Sequence, residues 1–259
     1  MNLDGPDWDG FIGDYALLED EVHVWRTGLD MAAVDLAKLQ RILSPDEQER
    51  AERFRFEADQ RRAVIARGYL RLLLGEILDL PANRLQFEYD EFGKPRLNPT
   101  QGVPLQFNVS HSGDLILIAI TVGRAVGVDV ERIRTDVDVD GLAARFFSAS
   151  ERKTLASLAG PGRYEAFFTC WTRKEAYLKA REVGLALPLD QFDVSFLPDE
   201  EPRLLATRYD PPDAQWWGLR ALVLSSDYVA ALAAQGSNWK LKCWDWPPLI
   251  LMKDMPSNK

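Results

Sequence analysis

The chain has 259 residues, with 31 Lys and Arg against 40 Asp and Glu, and carries −9 at pH 7 with its two His neutral. Hydrophobic residues at 46% and charged residues at 27% exclude collagen-like, low-complexity and disordered classes. No window reaches ~18 consecutive apolar residues, and the acidic start MNLDGPDWDG is not a basic segment followed by an apolar run, so neither a membrane span nor secretion is expected. Cys170 and Cys243 provide neither a disulfide framework nor a zinc cluster, which points to a reducing cytoplasm. The acidic balance argues against bulk binding to nucleic acid, since affinity there comes from neutralising phosphates.

In chain order, Glu21–Trp25 reads as a strand and Ala33–Leu43 as a helix. Ser44-Pro45-Asp46-Glu47 has the capping-box form that opens a new helix. Val64, Leu70, Leu73, Leu74, Ile77 and Leu78 lie on one stripe, which predicts a long helix from Asp59 to Asp79, closed by Pro81. Leu105, Phe107 and Val109 alternate in a strand, Gly113-Asp114 is a turn, and Leu115–Val122 reads as a strand buried on both faces. Val126–Glu131 alternates strictly, so the three Val face one side while Asp129 and Glu131 face the other. Ser148-Ala149-Ser150-Glu151 is a second capping box, and a second long helix runs from about Arg163 to Arg181. Strand-like stretches follow at Phe192–Phe196, Leu204–Thr207, Leu219–Leu224 and Tyr228–Ala233. A tail with Trp239, Trp244 and Trp246 is read as packing. The order suggests two α+β halves, divided near residue 125.

On the second long helix, Trp171, Glu175 and Lys179 share a column at four-residue spacing. A Glu–Lys pair at this spacing is ordinarily a solvated surface pair, and Asp129 with Glu131 could equally be two charges on a wet strand face. Their convergence would be informative, because a hard divalent cation takes one or two carboxylates and keeps positions for water and phosphate. Arg62, Lys94 and Ser110-His111 supply donors suited to a diphosphate. Sequence motifs for Walker-type nucleotide binding, Rossmann folds, zincins and α/β-hydrolases are missing.

FNVSHS (107–112), VGVDVE (126–131) and WTRKEAYLKA (171–180), in this order, resemble the motif set of the 4′-phosphopantetheinyl transferases. FGKPRL (92–97), RFFSASE (145–151) and the helix around Arg62 resemble the longer surfactin-synthetase (Sfp) type. The resemblance implies an α+β fold of two pseudo-symmetric halves, residues 1–124 and 125–259, with the active site at their interface. It implies a cytoplasmic, monomeric enzyme that moves the phosphopantetheine arm of coenzyme A to a serine of an apo acyl, peptidyl or polyketide carrier protein, releasing adenosine 3′,5′-bisphosphate. By motif matching, Asp129, Glu131 and Glu175 hold Mg2+, or Mn2+. Lys179 neutralises charge on the leaving side, Ser110 and His111 contact phosphates, and Arg62 and Lys94 grip the nucleotide. The base that takes the serine proton is Glu175 or Glu151. A hydrolase cleaving coenzyme A-like pyrophosphates with the same carboxylates is the alternative.

Two departures stand out against the family pattern. Glu47 and Arg50 occupy places that often hold two Lys, leaving Arg50 as the cation for a 3′-phosphate, and Glu182-Val183-Gly184-Leu185 replaces a Gly-Lys-Gly-Leu loop. The Arg-dense stretch from Arg50 to Arg71 and the Phe146-Phe147 pair are expected to offer docking surface to the carrier.

Overall fold

The structure is a computed structural model that describes residues 8–10, 17–29, 36–90, 93–182 and 187–246. The expected helix start at Ala33, Phe92 and the Val183-Gly184-Leu185 segment lie outside the described residues. Twelve strands and six α-helices are described: β1 (Trp8–Gly10), β2 (Glu21–Gly28), α1 (Leu36–Ile42), α2 (Pro45–Glu52), α3 (Glu57–Leu78), β3 (Phe87–Tyr89), β4 (Pro95–Leu97), β5 (Leu105–Ser112), β6 (Leu115–Val122), β7 (Val126–Arg132), α4 (Val139–Phe146), α5 (Ala149–Ala156), α6 (Pro161–Arg181), β8 (Phe192–Val194), β9 (Leu204–Thr207), β10 (Trp217–Ala221), β11 (Tyr228–Gln235) and β12 (Lys240–Asp245). Among the described residues no helix is long and apolar enough to cross a membrane.

Five strands form one sheet in the order β1-β12-β2-β6-β5, and three form a second in the order β10-β11-β7. The two sheets meet through a shared core. Val22 and Val24 of β2 and Leu117 and Ala119 of β6 cluster with Val126, Val128 and Val130 of β7 and Leu232 of β11. The alternation expected of β7 therefore holds: its three Val face the first sheet. On the far face of the first sheet, Trp25, Ile118 and Ile120 bury Ile65, Tyr69 and Leu73 of α3. Beneath the second sheet, Phe167 and Tyr177 of α6 pack with Leu219, Ala231 and Ala233. β6 is buried on both faces, as its unbroken apolar run implies.

β12 was not legible as a strand. It runs parallel to both β1 and β2 and sits between them, pairing Cys243 with Trp8 on one side and with Val24 on the other. The Trp-rich tail is thus part of the first sheet's packing. Trp246 is buried with Trp25, and Trp239 joins the core between the sheets. The expected strand over Leu219–Leu224 starts and ends earlier, at Trp217–Ala221.

Both capping boxes anchor a long helix through a buried ion pair, and the two anchors repeat each other. Glu47 Oε2 accepts the Ser44 N–H at 2.9 Å and Arg71 Nε of α3 at 2.6 Å. Arg71 then donates to the carbonyls of Ala82 and Leu85. Glu151 Oε2 accepts the Ser148 N–H at 2.9 Å and pairs with Lys174 Nζ of α6 at 2.8 Å, while its Oε1 accepts the Val194 N–H at 3.0 Å. Lys174 then donates to the carbonyls of Leu189 and Phe192. All four side chains are at most 2% exposed. This corrects two expectations: Glu151 is a structural anchor with both oxygens committed, and Arg71 lies in the interior, where it offers nothing to a carrier. Phe147 is likewise buried, stacked on Phe167 at 5.2 Å, so Phe146 alone of that pair reaches the surface.

A buried charge stripped of its partner is strongly destabilising, by about 3–5 kcal/mol. Lys174→Met is therefore expected to lower unfolding stability by that amount in urea titrations, and a loss below about 1 kcal/mol would refute the anchor. His23 supplies a pH dependence. Its ring is fully buried; Nδ1 accepts from Trp244 Nε1 at 3.1 Å, so Nε2 carries the proton toward Glu21 Oε2 at 2.8 Å. Burial holds its pKa below 6.5, outweighing Glu21. Because the unfolded chain binds this proton more readily, stability is full above about pH 6.5 and falls as pH drops below it. Urea titrations at pH 7.5 and 5.5 should show that loss in the wild type and a smaller one in His23→Gln.

Candidate active site

β5 lies beside β7 at the seam between the two sheets, and the two are joined by side chains of β5 on the backbone of β7. Asn108 Oδ1 accepts the Val128 N–H at 3.0 Å, Ser110 Oγ the Val130 N–H at 3.3 Å and Ser112 Oγ the Arg132 N–H at 3.1 Å. The period of two along both strands lets every second residue of β5 meet every second amide of β7. The two hydroxyls also donate to the carboxylates between those amides: Ser110 Oγ to Asp129 Oδ1 at 2.8 Å and Ser112 Oγ to Glu131 Oε2 at 2.7 Å.

α6 crosses the face of β7 that carries Asp129 and Glu131, and Gly127 sets the separation. A Cβ there would lie 2.1 Å from Ala176 O and 2.3 Å from Ala180 N. The close approach brings Lys179 Nζ to Asp129 Oδ1 at 2.6 Å, Ser110 Oγ at 3.1 Å and the Val128 carbonyl at 3.2 Å. The C-terminal turn of α6 is fixed by Asp213, which receives Arg181, Tyr177, Tyr209 and Trp217. The turn ends at Glu182 with φ 58°, a left-handed position that favours glycine.

Burial raises the Glu175 carboxyl above its ordinary value, and the charges of Asp129 and Glu131 push it further. Glu131 is raised by burial and by Asp129, against the hydrogen bond from Ser112. Glu175 has no hydrogen bond or ion pair among the described residues. Asp129 Oδ2 is buried without a hydrogen-bond partner among the described residues, a hard oxygen of the kind a divalent cation takes. The donor set therefore fits such an ion, but it is not drawn around a common point. Among the described residues no three Asp, Glu, His or Cys side chains are gathered closely enough to hold a metal. Lys179 holds one oxygen of Asp129 and Ser112 holds one of Glu131.

A cavity of about 350 Å³ lies on the other side of β5, lined by Val109 and His111 of that strand, by Arg50, Phe54 and Arg67, and by Lys94. Arg50 also stacks over Tyr89, 3.7 Å from the ring centroid. Loss of hydration lowers the His111 pKa, and the positive charges of Lys179 and Arg62 lower it further. Lys94 is partly committed: Nζ pairs with Glu182 Oε1 at 2.9 Å and donates to the Lys179 carbonyl at 3.1 Å. Its pKa is lowered by burial, against the pull of Glu182. Arg62 is not in the cavity wall; it pairs with Asp59 at 2.9 Å. Sequence reasoning missed Arg67. Its Nη1 is buried without a hydrogen-bond partner among the described residues, while Nε lies 3.4 Å from Glu47. The available signal was a cation set among the small and apolar residues Ala63, Ala66 and Leu70.

Residues 125–233 match the family described as the 4′-phosphopantetheinyl transferase superfamily, and residues 31–123 match the one described as 4′-phosphopantetheinyl transferase, N-terminal. The chain is 39% identical over 231 residues to the 4′-phosphopantetheinyl transferase HetI of Nostoc sp., covering 89% of this chain and 94% of that one. It is 32% identical over 181 residues to the transferase psf-1 of Bacillus pumilus, covering 70% and 76%. To the transferase Sfp of Bacillus subtilis it is 29% identical over 152 residues, covering 59% and 66%. The chain belongs to the 4′-phosphopantetheinyl transferase family, enzymes that move the phosphopantetheine arm of coenzyme A onto a carrier protein.

Proposed function

We propose that Asp129, Glu131 and Glu175 bind a divalent cation, Mg2+ or Mn2+, against the diphosphate of coenzyme A, and that Glu175 takes the proton of the carrier serine. The observation that carries this reading is the junction of β5, β7 and α6, where three carboxylates and Lys179 border a strand whose opposite side lines a cavity with Arg50, Arg67 and Lys94. When bound, the cation supplies positive charge to the diphosphate oxygens. Everything else is done by the chain's own groups.

The serine hydroxyl titrates far above pH 7, so its attack on the phosphopantetheine phosphorus needs a positioned base. The new Ser O–P bond forms as the P–O bond to the adenosine 3′,5′-bisphosphate breaks, and the proton passes to a carboxylate. Glu175 suits that role: it has no hydrogen bond or ion pair among the described residues, so one of its oxygens is open to the serine proton beside the one offered to the cation. Glu151 does not, since both its oxygens are committed. Lys179, held between Ser110 and Asp129, offsets charge on the leaving side. Arg50, Arg67, Lys94 and His111 bind the nucleotide end in the cavity. We propose a monomer of the longer Sfp type, a reading supported by the two matched family segments lying on one chain. Its acceptor is an acyl, peptidyl or polyketide carrier.

Incubation of apo carrier proteins with coenzyme A and Mg2+, read by intact mass, tests the reading. Wild-type enzyme should add the phosphopantetheine mass, while Asp129→Ala and Glu175→Ala should slow transfer at least about 100-fold. Unaltered transfer in Glu175→Ala would remove it from the base role, and consumption of coenzyme A with the carrier left at its apo mass would mean hydrolysis. Arg67→Met should raise the KM for coenzyme A about tenfold or more with kcat maintained, as expected for a lost charge-assisted bond to bound substrate. An unchanged KM would confine Arg67 to its pairing with Glu47.

A further inference from the structure

At the seam between β5 and β7, serine hydroxyls aim the carboxylates proposed as metal ligands. Ser112 Oγ accepts the Arg132 N–H at 3.1 Å and donates to Glu131 Oε2 at 2.7 Å. The acceptor bond fixes the hydroxyl on the β7 backbone, so its single proton is aimed at the neighbouring carboxylate. A carboxylate on a two-carbon stem otherwise samples many rotamers. Here one oxygen is tied down, and among the described residues the donor that ties it comes from the opposite sheet.

Asn108 sits two rungs away on the same strand and accepts a β7 amide in the same way, at 3.0 Å from Val128 N. Its bond reaches no carboxylate. The two residues thus share the structural task of joining β5 to β7, and of the two Ser112 alone contacts Glu131.

Resting on the proposed metal site, we infer that Ser112 is a positioning residue that orients Glu131 for the divalent cation, leaving the second oxygen of Glu131 for the ion. Groups that orient metal ligands in this way typically contribute 10–100-fold to metal affinity.

The test is binding of Mn2+ alone to the full-length enzyme, followed by electron paramagnetic resonance of the free ion and requiring no turnover. Ser112→Ala should weaken Mn2+ binding about tenfold or more, Ser112→Thr should restore it, and Asn108→Ala should leave it near the wild-type value. Equal affinity in Ser112→Ala and wild type would overturn the assignment while leaving the metal reading intact. An equal loss in Asn108→Ala would also overturn it, by showing that Mn2+ affinity follows the joining of the strands and not the hydroxyl on Glu131. Absence of Mn2+ binding by the wild type would overturn the metal reading and this proposal together.

Discussion

The side-chain rungs from Asn108, Ser110 and Ser112 to the amides of Val128, Val130 and Arg132 hold the two sheets in register, and the rest of the site is built on that register. A slip of one residue would turn Asp129 and Glu131 away from α6 and bring the valines out of the core between the sheets. The apolar packing of Val126, Val128 and Val130 against the first sheet and the polar rungs of β5 therefore specify the same alignment from two sides. Buried amides of β7 that find no strand partner on this side are satisfied by these side chains, so the seam carries no backbone cost of its own.

Close approach by α6 is the second requirement, and it is met by absence of side chain. Gly127, Ala176 and Ala180 let the helix backbone lie almost against the strand, which is what allows a lysine and a glutamate on one helical column to face carboxylates on a strand. The helix is then held at three levels: by Lys174 on Glu151, by Lys179 on Asp129, and by Arg181 on Asp213. Its middle pair is the only one of the three that borders the proposed catalytic groups. The outer two keep the helix from sliding, and this separates residues that look alike in sequence into anchors and working groups.

Much of this was legible before any coordinates. The alternation in Val126–Glu131 put two carboxylates on one face, the four-residue spacing put Glu175 and Lys179 on another, and the capping boxes at Ser44 and Ser148 started helices where they occur. What local patterns could not reveal was the partner of each charged group. Glu151 satisfied the pattern of a helix cap and was also a candidate base; only the position of Lys174 and the Val194 amide shows that its oxygens are consumed. Glu47 read as a missing cation, whereas it is the mirror of Glu151 in the first part of the chain. Arg67 was hidden because its significance lies in an unsatisfied nitrogen, a property of the cavity wall. β12 escaped because its edge pairings join residues more than 200 positions apart.

That last strand has a consequence for how the molecule is assembled. With Cys243 sitting between Trp8 and Val24, β1 and β2 cannot be joined in their sheet until a segment more than 200 residues further along has been synthesised. Contacts of such long sequence separation are slow to form and leave open strand edges exposed meanwhile. A cut near residue 124 would not release two independent modules, because the first would lack the strand that fills the space between β1 and β2.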